Sequence, residues 1–371
     1  PLGQALLGGS PREVTHGLGF TRMQQRLDGL DVGLVWTVDA HTAIKQLQVE
    51  IHQTDGRART RRLRLVALAE WTLGSQRSER LSVSTRASHF QPDAAGAGLP
   101  LPASARVLQA TQADDLGGFG GATAFLAWRL PQPGPAATAG DADDWTCDRR
   151  ELHAASGALV LPATLGCTQG LGLDPCAALG TSHSCSPGQP LRLTLLLGHA
   201  ASPEAANRLL AQAWAVDPDQ RLAAQRSLWQ TLLAPVTVHT PDAAFNALTN
   251  HWLPYQTVAC RLWARAGFYQ AGGAYGFRDQ LQDAMAMVSR APDLLAEQLR
   301  LNASRQFAEG DVQHWWHAPG GAGVRTHFSD DLLWLPCALA LYVARTGDHA
   351  LLDETQPFLQ GQAVPEGQED V

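Results

Sequence analysis

Lysine is almost missing from this chain. Lys45 is the only one in 371 residues, so 27 of the 28 basic residues are arginine. A shortage that uniform reads as the codon bias of a GC-rich genome, with bidentate contacts left as an explanation for single arginines only. Basic charge is short as a whole: Asp and Glu number 35, and the net charge is −7. With no basic stripe, the composition speaks against a nucleic acid or an anionic membrane surface as partner. No apolar run approaches the roughly 18 residues of a membrane span, and no signal-peptide pattern opens the chain. Cysteine is sparse too. Cys147, Cys167, Cys176, Cys185, Cys260 and Cys337 include no CxxC pair. Four of them fall within 147–185, where one disulfide stays open beside the reading of free thiols in a reducing cytosol. What the chain does have is 45% hydrophobic and 17% charged residues, enough for sizeable cores and against global disorder. Its length predicts two or three domains at roughly 100–200 residues each.

Periodicity divides the chain. Leu47, Val49 and Ile51 alternate with polar residues, and so do Leu63, Leu65, Ala67, Ala69, Trp71 and Leu73. Asp55-Gly56 lies between the two runs, and turn chemistry there predicts an antiparallel hairpin. Leu34, Trp36 and Val38 continue the alternation upstream. Leu191, Leu193, Leu195 and Leu197 repeat it after Pro187-Gly188. Several such strands with few helices predict a large antiparallel sandwich. Residues 91–143 read as strands with long loops, and 131–144, rich in Pro, Gly and Asp, as a surface excursion. The period changes near residue 203. Ser202-Pro203-Glu204, Thr240-Pro241-Asp242, Ala291-Pro292-Asp293 and Ser329-Asp330-Asp331 are helix starts, and Asp217-Pro218-Asp219 is a restart. Phe245, Leu248, Trp252, Gln256 and Ala259 share one helical stripe. Helices joined by Gly-rich loops fit an α/α barrel. The expected domains are 1–202 (sandwich), 203–239 (helical linker) and 240–371 (part of a barrel). The chain starts at Pro1 and stops at Val371 without a closing element, so both ends read as cuts.

Three clusters carry candidate chemistry. In Gly272–Asp283 a glycine-rich loop enters a helix whose first turns hold Arg278, Asp279, Gln282 and Asp283. Carboxylates accept from vicinal hydroxyls while Arg and Gln donate, which suits a sugar. The same acids also suit a helix N-terminus and an intrahelical ion pair. In Gly310–His317 an aromatic loop places His314, Trp315, Trp316 and His317 together. Tryptophan faces stack on pyranose rings. Alternatively, one Trp is core and the other lines a seam. No third ligand at metal spacing joins the histidines, so no metal is expected. In Gly323–Pro336, Arg325, His327, Asp330 and Asp331 gather within seven positions. These clusters describe a polyol pocket without choosing between hydrolysis, phosphorolysis and binding.

The strings FYQAGGAYGFRDQLQDAMA, RQFAEGDVQHWWHAP and GVRTHFSDDLLWLP resemble glycoside hydrolase family 94, the inverting β-glucoside phosphorylases. They are most similar to the C-terminal region of its cyclic β-1,2-glucan synthases. AEWTLG, CDRRE and LDPCAAL resemble the family's N-terminal sandwich less specifically. The resemblance implies a β-super-sandwich, a helical linker and the first helices of an incomplete (α/α)6 barrel. It implies attack of inorganic phosphate on the anomeric carbon, with phosphate as co-substrate and no other cofactor. Arg278, Asp279, Gln282 and Asp283 then fall at the donor sugar, and Asp330 and Asp331 in a DD pair at the pocket. His314, Trp315 and Arg325 complete the expected substrate contacts. The family's general acid belongs to a GDWNDG-type motif that does not occur here. The catalytic acid is therefore expected beyond Val371, and this chain alone is expected to be inactive. The partner would be a β-glucan oligosaccharide in the cytoplasm, the parent being an inner-membrane protein with cytoplasmic domains. A non-catalytic carbohydrate-binding module and a glucoside hydrolase on the same barrel are the alternatives.

Overall fold

The computed structural model describes residues 12–56, 59–74, 77–90, 105–115, 118–129, 144–265, 273–368 and 370–371. Most of the excursion expected over 131–144 and the loops over 91–104 lie outside the described residues, as does Gly272 of the first cluster. The chain divides into two compact units, Pro1–Ser227 and Leu228–Val371.

The first unit is built from antiparallel strands. They are β1 (Arg12–Gly17), β2 (Phe20–Leu27), β3 (Leu30–Val38), β4 (Ile44–Gln53), β5 (Arg61–Glu70), β6 (Val83–Phe90), β7 (Ala105–Gln112), β8 (Thr123–Arg129), β9 (Trp145–Asp148), β10 (Pro175–Cys185) and β11 (Leu191–Ala200). Eight of them form one sheet in the order β1-β2-β3-β4-β11-β8-β7-β6, and three form a second in the order β5-β10-β9. Leu47, Val49, Ile51, Leu193 and Leu195 from the large sheet meet Ala177 and Leu179 from the small one in a single core, with Leu63, Leu65 and Ala67 packed against it. This is the sandwich that the alternation predicts.

The hairpin expected between β4 and β5 does not form. β4 pairs with β3 and β11, while β5 pairs with β10 in the other sheet. The Asp55-Gly56 segment, with Gly56 at φ +67°, carries the chain from one sheet to the other. Alternation reports which face of a strand is buried. It does not report the neighbour, and two inward faces of opposite sheets look the same as two strands of one hairpin.

On the outward face of the large sheet lies α1 (Pro203–Ala215), whose Leu210 and Trp214 pack on Ile44, Phe125 and Leu196. Ser202 caps it by accepting from the Ala205 amide at 3.2 Å. Next comes α2 (Pro218–Leu233), started by Asp217 accepting from the amides of Asp219 and Gln220. Its Arg221 is buried. The guanidinium bonds Asp39 at 2.8 Å, the Ala213 carbonyl at 2.6 Å, and Gln46.

In the second unit, the end of α2 is followed by α3 (Ala243–Ala247), capped by Asp242, then π turns, α4 (Leu253–Gln256) and further π turns to Trp263. The apolar stripe expected here exists, but Phe245, Leu248 and Trp252 are exposed. After these come β12 (Ala274–Gly276), α5 (Phe277–Met285), α6 (Pro292–Ala303), β13 (Val312–His317), β14 (Gly323–Thr326) and α7 (Asp331–Thr346). β12, β13 and β14 form a three-stranded sheet, where helices and loops alone were expected. The aromatic "loop" of the second cluster is strand β13. Gly323 on β14 is needed there, because a Cβ would sit 2.0 Å from the Trp315 carbonyl oxygen.

Candidate functional site

The small sheet and two helix N-termini bring most of the candidate residues together. Gly276 on β12 pairs with Trp315 on β13, and α5 begins at the next residue. Gln280 turns back to accept from the Gly276 amide, fixing the strand-to-helix corner. Arg278 therefore projects from the first turn of α5 close to β13. Its Nη1 donates to Asp330 Oδ2 at 2.8 Å, and Asp279 stands 3.7 Å from its Nε. Asp330 is the residue preceding α7, yet its side chain caps no backbone amide there. The carboxylate is turned to Arg278 instead, which holds it below the usual carboxylate range. Both side chains remain partly exposed, so the pair is available to a ligand.

Asp331 behaves differently from its neighbour. It is 1% exposed, and His314 Nδ1 lies 2.6 Å from its Oδ2. Among the described residues its Oδ1, which is buried, finds no hydrogen-bond partner. The His314 ring is about a quarter exposed and packs against Phe328 with centroids 4.7 Å apart. Trp315 is half-buried and meets the His317 ring edge-on at 5.4 Å.

Trp316 is fully buried and stacks on Tyr275 at 5.2 Å with an angle of 8°. Arg265 lies 4.3 Å over the Tyr275 ring, and Arg305 lies 5.2 Å over Trp316. One tryptophan of the pair is thus core.

Asp283 lies on α5 one turn after Asp279 and accepts from Arg261 Nε at 2.8 Å. Burial pushes its carboxyl up, Arg261 opposes that rise, and the charge on Asp279 adds to it. Gln282 is exposed on the same helix. Arg325 has a different set of partners. It is 4% exposed and clamps Asp311 through two bonds of 2.6 Å. It also reaches Glu309 at 3.1 Å and the Gln362 carbonyl at 3.1 Å, and lies 3.9 Å over the Phe307 ring. Those bonds commit its donors to holding β14 against the chain around Asp311. His327 is exposed.

Arg261, the partner of Asp283, was not found by sequence reasoning. It lies 22 positions away, and no local spacing connects the two. Asp311 was in plain view between Gly310 and Val312, but nothing in its flanks ties it to Arg325. Among the described residues no group of three or more His, Cys, Asp or Glu gathers as a metal ion needs. The six cysteines are free thiols, and burial pushes Cys147 up to about 11.

Two family models match the chain. Residues 3–215 match the glycosyl hydrolase 94 supersandwich domain, and residues 228–365 match the glycosyl hydrolase 94 superfamily catalytic domain. The chain is 37% identical over 364 residues to the cyclic beta-(1,2)-glucan synthase NdvB of Rhizobium meliloti (strain 1021), covering 96% of this chain and 12% of that protein. It is 32% identical over 190 residues to the solabiose phosphorylase of Paenibacillus borealis, covering 50% of this chain and 23% of that protein. The chain therefore spans a small part of the length of these relatives. In fold it is similar to a bacterial glucoamylase solved with acarbose, at a TM-score of 0.50 and 10% identity, over 83% of this chain and 43% of the other.

Proposed function

The chain belongs to glycosyl hydrolase family 94, and on that premise we propose that its helical unit holds a sugar of a β-1,2-linked glucan for cleavage by inorganic phosphate. The contacts are Arg278, Asp279, Asp330 and His314, with Trp315 as the apolar platform and Gln282 and Asp283 at the margin. The observation that carries this reading is the convergence of the Arg278–Asp330 pair and the His314–Asp331 pair on the start of α7, with Trp315 set beside the start of α5. It supplies charged donors, charged acceptors and an aromatic edge in one place, the set that vicinal hydroxyls and a pyranose face require. The names of the relatives, a cyclic glucan synthase and a disaccharide phosphorylase, favour a glucan substrate and a phosphorolytic reaction.

Phosphate is itself a competent nucleophile, so phosphorolysis needs one protonated acid and no protein base. Asp330 is unsuited to be that acid, because Arg278 keeps it ionised. In this reading the chain grips the sugar and another part of the protein protonates the leaving oxygen. Calorimetric titration with β-1,2-linked glucose oligosaccharides should show saturable binding. Incubation with the same sugars and phosphate should yield no glucose 1-phosphate from this chain alone. Glucose 1-phosphate formation would overturn the division of labour, and an absence of binding would overturn the site.

A further inference from the structure

We propose that Asp331 acts through His314: the buried carboxylate fixes the imidazole with its proton on Nδ1, so that Nε2 is the bare acceptor offered to a sugar hydroxyl. The inference rests on the sugar-site reading above and assigns roles within it. Asp331 becomes a positioning residue, and His314 the group in contact with the ligand.

The geometry starts from burial. At 1% exposure Asp331 offers no surface to a sugar, although it stands next in sequence to Asp330, which does. An ionised carboxylate only accepts hydrogen bonds, so the proton in the 2.6 Å contact belongs to His314 Nδ1. In the neutral ring the other nitrogen is then unprotonated. No described residue bonds Nε2, and the ring is partly exposed. Phe328 packs on the ring and Asp331 grips its edge, so both its plane and its direction are set before a ligand arrives. Arg278, bonded to the neighbouring Asp330, also feels the charge of Asp331. A bare ring nitrogen can accept the hydrogen bond that a sugar hydroxyl gives.

A second observation marks the same place. Asp331 Oδ1 is buried and has no hydrogen-bond partner among the described residues. A half-satisfied buried carboxylate costs free energy, and a purely structural anchor at the start of α7 would be better served by an amide or by a fully bonded acid. What the carboxylate does that an amide does not is accept from Nδ1 in either rotamer and never donate to it. It therefore excludes the opposite tautomer.

The test uses the full 371-residue chain and a β-1,2-linked glucose disaccharide. Nitrogen-15 NMR of the histidines should show a ring carrying its proton on Nδ1, and this signal should be absent from His314→Gln. Asp331→Asn, whose amide can donate to Nδ1, should move the His314 proton to Nε2 and weaken the disaccharide about tenfold, the scale of one lost ligand hydrogen bond. His314→Asn keeps a donor near the Nδ1 position but has nothing at Nε2, and should lose binding to a similar extent. His314→Gln places an amide oxygen near Nε2 and should keep affinity to within about threefold. These two variants carry the test if Asp331→Asn does not fold. A His314 ring protonated on Nε2 in the wild type overturns the inference. So does binding that survives in His314→Asn and fails in His314→Gln. A wild-type chain that binds no disaccharide overturns the sugar site, and the role of Nε2 with it. Binding unchanged in both His314→Asn and Asp331→Asn overturns this inference alone.

Discussion

Two arginines 47 positions apart in the sequence, Arg278 and Arg325, show how alike residues diverge once partners are counted. Arg325 is buried in a bidentate clamp on Asp311. Removing one member of a buried pair leaves the other charge uncompensated. Arg325→Ala should therefore destabilise the helical unit by about 3 kcal/mol in urea unfolding. Arg325→Lys should recover little of it, since an ammonium cannot make the two parallel bonds. Arg278 is partly exposed, and its pair with Asp330 is a matter of site assembly. The Asp330 carboxyl is lowered on folding, so the pairing contributes fully above the unfolded carboxylate value of about 4. The contribution fades as pH falls through the lower, folded value. Sugar binding measured from neutral pH downward should hold through pH ~5 and decline only in the acid range where Asp330 takes up its proton. Asp330→Asn should start weaker and lose that acid limb. An acid limb unchanged in Asp330→Asn would show that another group sets it.

Elements were legible to the extent that their signals are local. Ser202 and Asp242 cap the helices that follow them, and Asp217 restarts one, because a side chain reaching two or three amides along is a short-range event. The strands β4 and β5 were readable from alternation, but their partners were not, since pairing is decided across the core. β13 was missed as a strand: two tryptophans and two histidines in six residues look like a binding loop until β12 and β14 are seen to flank them. The Arg278–Asp330 bond between the first and third clusters, like the Arg261–Asp283 and Arg325–Asp311 bonds, depends on tertiary approach. Asp330 shows a local rule giving way, since a residue placed to cap α7 points to Arg278 instead. A further element-scale feature is Pro336, inside α7 and exposed. Proline there removes one intrahelical bond and crowds the preceding turn. Pro336→Ala should raise the stability of the helical unit, by up to about 3 kcal/mol if α7 is otherwise unchanged. Chemical denaturation measures it, and a fall in stability would show that the proline ring packs in a way that its exposure hides.

On the scale of the whole chain, the two family models and the two compact units divide the sequence at nearly the same place, and α2 spans the division. Each unit has its own polar anchor. In the first it is Arg221, buried against Asp39, Gln46 and the Ala213 carbonyl, which ties α2 and the end of α1 to the large sheet. In the second it is Arg325. The candidate sugar contacts all lie in the second unit, between Arg278 and Asp331. If sugar recognition belongs to that unit alone, damage to the first should change stability without changing affinity. Arg221→Met keeps most of the side-chain volume but removes the charge partner of Asp39 Oδ2 and leaves the Gln46 and Ala213 acceptors without their donor. It should cost about 3 kcal/mol, seen as earlier loss of the β-sheet signal on heating. At a temperature where the variant and the wild type are both folded, the variant's binding isotherm for a β-1,2-linked glucose oligosaccharide should superimpose on that of the wild type. A parallel loss of affinity would mean that the sandwich takes part in holding the sugar, and the assignment of the site to Arg278, Asp330 and His314 would have to be widened to include it.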